Sequence, residues 1–360
     1  MIDFELTEEL RLIQETAREF ATQVLLPRDR DFEQARAIPD AIQRGFAETG
    51  LASLELPDAL GGVEVGALAR VLVLEELAAA DPGATLALDP LGPALYVLRE
   101  LGGGEALLEF GAPVVERPGA RAIFAWDGEG RLRREAGRVR GLLPWVPADR
   151  VDCLVVLDPQ GGFVITEGIE TSVLRGAGLR GAGASEVRLE GAAVAAAWDD
   201  AEGASRALAR ARLYGAALLL GSMRASADFS RQYARERVAF GRPIAHHQAL
   251  AFLIADMAAA IDGARLLAWD AAWRLDAGVD ALEPCATAFA EAAEQAMFVG
   301  PNGVQILGGH GFMQDYPVEK YMRESRALGL WFGGIDRARE DAGLALADVG
   351  GPVALTAGER

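Results

Sequence analysis

Apolar residues recur at three- and four-residue steps through the first part of the chain. Leu10, Ile13, Ala17, Phe20 and Val24 mark one face of a helix. Thr7 is a good N-cap for it, and Glu8 and Glu9 fall in the first turn, where the helix dipole favours carboxylates. Pro27 marks its end. A second helix is expected from about Asp40 to Thr49, stopped by Gly50, and a third from about Leu68 to Ala80. Asp81-Pro82-Gly83 reads as a breaker behind the third, and Pro57 to Gly62 as a loop.

The pattern changes near residue 116. Short stretches of β-formers alternate with Gly and Pro. Arg121 to Trp126, Val139 to Val146, Cys153 to Asp158, Phe163 to Thr166 and Glu186 to Leu189 are the expected strands. Their close turn signals predict a small antiparallel barrel or sandwich. From about residue 201 the helical period returns, in Ala- and Leu-rich stretches over Ala204 to Glu236, Gln248 to Ala277 and Ala281 to Val299. Helices of that length point to a bundle, and their small residues allow close approach. The expected organisation is a multi-domain α+β chain: an N-terminal helical domain (1–115), a middle β domain (116–200), a C-terminal four-helix bundle (201–347) and a loose tail (348–360).

Composition narrows the chemistry. About half of the 360 residues are hydrophobic, so a large core can be buried, yet no stretch reaches the roughly 18 uninterrupted apolar residues of a membrane span. The acidic start, with no basic leader pattern, argues against a secretory signal and for a cytoplasmic protein. Cys153 and Cys285 are too few and too far apart for a disulfide framework or a zinc cluster, and are expected as buried apolar side chains. His246, His247 and His310 form no metal-ligand pattern. A net charge of −18 disfavours nucleic acid and anionic membrane, so any site for an anionic ligand has to be a local basic exception.

Several segments, in order, resemble the acyl-CoA dehydrogenase family. They are Phe4-x-Leu6-Thr7-Glu8-Glu9; Leu56-Pro57 with Gly61-Gly62; Leu74-Glu75-Glu76-Leu77-Ala78; Glu236-Arg237-Val238-Ala239-Phe240-Gly241 with Pro243-Ile244 and His247-Gln248-Ala249; Gln305-Ile306-Leu307-Gly308-Gly309-His310-Gly311-Phe312; and Tyr316 to Lys320 with Met322-Arg323. The resemblance covers nearly the whole chain. It implies a flavoprotein that passes electrons from an acyl-CoA thioester to FAD, with electron-transfer flavoprotein as the expected acceptor. It also implies a dimer or tetramer, because the Arg-x-x-Phe and Gln-x-x-Gly-Gly segments hold a neighbour's FAD. Carried over, Arg237 pairs with the pyrophosphate, Phe240 supplies an apolar wall, Gln248 and Gln305 add hydrogen bonds, and Gly308 and Gly309 let the backbone approach the cofactor.

The departures are as informative. The family's catalytic glutamate position carries Phe332, and the alternative position, just before Arg212, carries Ala211. Gly334 stands where a flavin-contacting threonine belongs. The loop after Arg121 to Trp126 is cut to Asp127-Gly128-Glu129-Gly130, and the Trp-Ile-Thr/Ser segment is matched only by Trp145-Val146-Pro147. Proline brings no donor there. The half-site owed to a neighbour is kept, and the chain's own is altered. Three readings stay open. In one the chain is the non-catalytic partner of a glutamate-bearing sister subunit, an arrangement similar to that of some actinobacterial enzymes acting on steroid side chains. In another it is self-sufficient with Asp336 as the nearest carboxylate. In the last it is a scaffold without flavin. Arg212 reads either as an acyl-CoA pocket residue or as a solvated helix arginine, and Arg175 and Arg180 either as contacts for CoA phosphates or as loop residues.

Overall fold

A computed structural model describes residues 5–347. Phe4 and the tail expected over 348–360 lie outside the described residues. The helix α1 (Glu8–Phe20) starts as its sequence predicts, with the Thr7 side chain accepting from the Leu10 N–H at 3.3 Å. Next come α2 (Asp29–Ala35), α3 (Asp40–Glu48) and α4 (Ala67–Ala80). Asp81-Pro82-Gly83 breaks α4 but starts a new helix, α5 (Pro82–Leu88): the Asp81 carboxylate caps Ala84 N at 2.8 Å, and Pro82 fills a first-turn position that needs no N–H. The short helices α6 (Ala94–Val97), α7 (Gly103–Ala106) and α8 (Ala112–Val115) finish the amino-terminal unit.

Eight strands follow, in two sheets. The strands β2 (Leu132–Glu135), β3 (Arg138–Val146), β7 (Ser185–Ala193) and β6 (Ile169–Val173) form an antiparallel sheet in the order β2-β3-β7-β6. The other sheet is β1 (Ala122–Trp126), β4 (Cys153–Asp158), β5 (Gly161–Ile165) and β8 (Ala196–Trp198), in that order. Here the wholly antiparallel expectation is corrected, because β1 and β4 run parallel. The reason lies in burial. Ile123, Ala125, Leu154 and Val156 face the core between the sheets, while Phe124, Val155 and Leu157 pack against the helices. Strands buried on both faces read as continuous apolar runs, the signature of parallel pairing.

The carboxyl-terminal unit is built on α9 (Ala201–Glu236), α10 (Gln248–Asp276) and α11 (Leu282–Leu307), closed by α12 (Val318–Leu328) and α13 (Gly334–Ala347). A two-stranded ribbon of β9 (Val238–Ala239) and β10 (Arg242–Pro243) links α9 to α10. The third long helix was expected to stop at Val299, but it runs through Pro301 to Leu307. Close packing explains this. A Cβ on Gly303 would stand 2.5 Å from Ser226 Oγ, so this turn is held against α9 whatever proline costs it locally.

Charged groups pin the units together from inside. Glu75 and Glu76 of α4 are buried and pair with Arg18 of α1, Arg224 of α9 and Arg265 of α10. Lys320 is fully buried, 2.8 Å from Asp81, 3.6 Å from Asp29 and 3.7 Å from Glu324. Burial pushes the Glu324 carboxyl up to about 8 against the pull of Lys320, and its oxygens make no hydrogen bond. Its folded value lies above its unfolded one, so proton binding stabilises the fold. That contribution is complete below about 4.5 and is lost as pH rises through about 8.

Urea unfolding followed across this range should show a stability that falls towards pH 8, with the slope flattened in Glu324→Gln. Lys320→Met leaves buried carboxylates without their cation and should cost about 3–5 kcal/mol in the same measurement.

Candidate functional site

Two regions carry the chemistry that the sequence singles out. The first is one end of the helical bundle. Arg237 ends α9, and its carbonyl accepts from Ile244 N at 2.8 Å, which closes the β9–β10 ribbon. The ribbon turns at Phe240 (φ 52°) and Gly241 (φ 79°), a pair of left-handed residues suited to a two-residue hairpin. The turn lifts the Phe240 ring into solvent, 95% exposed, with only the edge of His247 beside it, 6.1 Å between centroids. Gln248 opens α10 and is exposed.

Gln305 lies in the last turn of α11 rather than in a loop, and Gly308 (φ 58°) then reverses the chain. Added Cβ atoms at Gly308 and Gly309 would meet nothing within 4 Å, so this backbone is open to a ligand. Tyr233, one turn before Arg237, exchanges a 2.8 Å hydrogen bond with His310 Nδ1, and His310 stacks on Tyr316 at 4.9 Å. That triad ties the Arg237 segment to the Gly308-Gly309 turn. The motif containing His310 and Tyr316 was visible in the sequence, but their joint role was not. None of Arg237, Gln248 and Gln305 spends its side chain on a hydrogen bond or ion pair within the described residues.

The second region is a cavity of about 590 Å³ between the middle domain and the bundle. Its walls include Trp126, Trp145, Trp331 and Phe332, so it gathers three of the six tryptophans of a chain that is only 7% aromatic. Trp145 meets Trp331 edge-on at 6.0 Å, and Trp331 lies 4.4 Å from Phe332. Trp145 was legible as a family position, whereas Trp126 and Trp331 were read only as neighbours of altered segments.

Phe332 borders the cavity, but its ring is committed to packing. It is completely buried, with φ 55°, and packs on Phe124 and Phe289 at 5.7 Å each. A Cβ on Gly215 of α9 would stand 2.5 Å from its ring, so a glycine has been accommodated opposite it. Ala211 is also buried on α9.

The carboxylates in the cavity wall are Asp127 and Glu129. Asp127 accepts from Arg131 N at 2.7 Å and Leu132 N at 2.8 Å, which holds the shortened turn together. Glu129 is exposed and pairs with Arg131. Asp336 lies in the first turn of α13, exposed, and is not part of the cavity wall. Its sequence neighbours Arg337 and Arg339 pair with Glu340 and Asp341 and with Glu294, respectively.

Arg212 is not a solvated helix arginine. It is buried, donates to the Phe332 carbonyl at 3.3 Å and to Asp341 at 2.7 Å, and borders a neighbouring cavity of about 280 Å³. Burial lowers its pKa while Asp341 supports its charge. Both cysteines are buried, their thiols pushed up to about 12 by desolvation, and so are inert. Among the described residues no cluster of His, Cys, Asp and Glu fits a metal ion, and no helix is long and apolar enough to cross a membrane.

Comparison with known proteins agrees with this layout. Residues 7–107 match the family model for the acyl-CoA dehydrogenase N-terminal domain, and residues 201–346 match that for the C-terminal domain. The chain is 30% identical to a cyclohex-1-ene-1-carbonyl-CoA dehydrogenase of Geobacter metallireducens, over 95% of this chain and 98% of the relative. A solved structure described as an electron transferring flavoprotein of Acidaminococcus fermentans matches with a TM-score of 0.85 at 25% identity, covering 97% of this chain and 100% of the other. Butyryl-CoA dehydrogenase from Megasphaera elsdenii shares the fold with a TM-score of 0.85 at 21% identity, covering 96% and 100%.

Restoring a carboxylate at the altered position should not restore a base. Phe332→Glu places an unpaired charge in the aromatic core and removes a packed ring, so the urea midpoint should drop by the equivalent of about 3 kcal/mol or more, without gain of dehydrogenation.

Proposed function

The chain belongs to the acyl-CoA dehydrogenase family, and from that premise we propose that it serves α,β-dehydrogenation of an acyl-CoA as a partner completing a sister subunit's FAD site. One contrast carries the reading. The end of the bundle bearing Arg237, Phe240, Gln248, Gln305, Gly308 and Gly309 is open and uncommitted, while the chain's own base position is a phenyl ring sealed in the core.

FAD is the family's cofactor, and when bound it accepts the hydride. The open end of the bundle suits it. The Arg237 guanidinium is free to pair with a pyrophosphate, the two glutamines offer neutral hydrogen bonds, and the Gly308-Gly309 backbone leaves room for close approach. The fully exposed Phe240 gains an apolar partner only when another surface covers it.

The rest of the reaction needs a carboxylate to take the proton next to the thioester carbonyl. Asp127 and Glu129 are committed to their turn, and Asp336 is exposed and outside the cavity wall. A sister subunit bearing the glutamate supplies what this chain lacks, in a mixed dimer or tetramer. Electron-transfer flavoprotein as the final acceptor and a cytoplasmic setting complete the proposal. The exposure of Asp336 outside the cavity wall favours this reading over the self-sufficient one. The flavin-free scaffold leaves the uncommitted Arg237 and glutamines without a purpose.

The test is the visible spectrum of the chain, alone and co-purified with a glutamate-bearing relative from the same organism, under anaerobic addition of acyl-CoAs. The mixed assembly should carry flavin that bleaches with substrate. Arg237→Ala in this chain should cut its FAD affinity by about tenfold, the loss of one charge-assisted contact. Full turnover by the purified homo-oligomer would overturn the proposal.

A further inference from the structure

Lysine occurs once in this chain. Of its 35 lysine and arginine residues, 34 are arginine and the other is Lys320. Every other such cation is a guanidinium, so the exception asks for a local reason. Its surroundings supply one. Lys320 lies on α12 with its side chain wholly buried, as is that of Glu324 one turn further on. Asp81, the N-cap of α5, is equally buried, and Asp29 opens α2. Carboxyl groups from three elements thus face one ammonium.

The hydrogen bonds do not close within this group. An ammonium has three donors. The Asp81 oxygen at 2.8 Å pairs with Nζ by charge but not at a hydrogen-bonding angle, and Asp29 and Glu324 stand off at 3.6 Å and 3.7 Å, beyond direct bonding range. Lys320 Nζ, Asp81 Oδ2 and both carboxyl oxygens of Glu324 are buried without a hydrogen-bond partner. Such atoms are costly to leave unpaired, and internal water is the usual remedy.

Charge selects a neutral ligand. The Lys320 ammonium repels a second cation, and the Asp29 and Asp81 carboxylates repel an anion. Water both accepts from an ammonium and donates to a carboxyl. Burial pushes the Glu324 carboxyl up to about 8, so near neutral pH it is mostly uncharged and serves a water as donor or acceptor. Size selects lysine, because a compact ammonium leaves room that the planar fork of a guanidinium would fill.

We propose that Lys320, Asp81 and Glu324, with Asp29 at the edge, form a binding site for internal water, in which an ordered molecule accepts from the Lys320 ammonium and shares a hydrogen bond with the Glu324 carboxyl. Through it α12 is joined to the starts of α2 and α5, so the bundle and the amino-terminal unit hold one ligand in common.

A single lysine makes the site readable. In the full chain labelled with nitrogen-15 lysine, the ammonium gives one signal, which should show cross-relaxation with a long-lived water. A high-resolution crystal structure should place that water within hydrogen-bonding distance of both Lys320 Nζ and Glu324. Glu324→Leu, which keeps much of the volume but has no side-chain oxygen, should lose the water cross-peak and retain the ammonium signal, whereas Glu324→Gln should keep both. An ammonium that donates directly to Asp29, Asp81 and Glu324, with no water cross-peak in the unaltered chain, would overturn the site. So would a cross-peak unchanged in Glu324→Leu. Acylation by an amine reagent, read by mass spectrometry, checks the enclosure without any variant. Lys320 should stay unmodified until the chain unfolds, and its acylation in the folded protein at the rate of a free amine would also overturn the site.

Discussion

The close crossing of α9 with its neighbours is the constraint on which the rest of the molecule depends. A Cβ on Gly221 would stand 2.3 Å from the Glu75 carbonyl of α4, and one on Gly303 of α11 would strike Ser226 of α9. Backbones this near leave no room for most side chains, and packing at that density penalises even small additions. The buried Glu75 and Glu76 then fix the approach electrostatically, since each has arginines arriving from more than one helix. With α9 so held, Gly215 and Arg212 are presented to the turn at 331–334, and Arg237 is presented at the far end of the same rod.

That rod links two regions with opposite fates. At its middle, the Phe332 ring is packed with a glycine opposite it and two further phenyl rings around it. At its end, polar side chains and bare backbone remain unspent.

Much of this was legible in the sequence. Thr7 and the long small-residue helices announce themselves by spacing, because caps and helix faces are local rules, whereas the paired glutamates of α4 stood out only as part of a family motif. The β1–β4 pairing was misread because continuous apolar runs were taken only as strands, without asking what covers both faces. The third long helix was expected to end at Val299, short of Pro301, because the packing of Gly303 that carries it further is not a local signal. Family motifs pointed to Arg237, Gln305 and Phe332. No sequence rule brings Arg36 to the Gly176 carbonyl, since that contact joins segments 140 residues apart.

The middle domain's inner sheet has one further consequence, for the order in which the chain can be completed. Its outward face, with Phe124, Val155 and Leu157, is covered partly by the amino-terminal helices and partly by residues as distant as Trp331 and Phe332. A ribosome delivers those last residues long after the strands have emerged. Until then the sheet has a hydrophobic side with an incomplete cover, the kind of surface that favours chaperone capture or premature association. The aromatic turn at Trp331 and Phe332 is thus also the latch that ends the vulnerable period of synthesis.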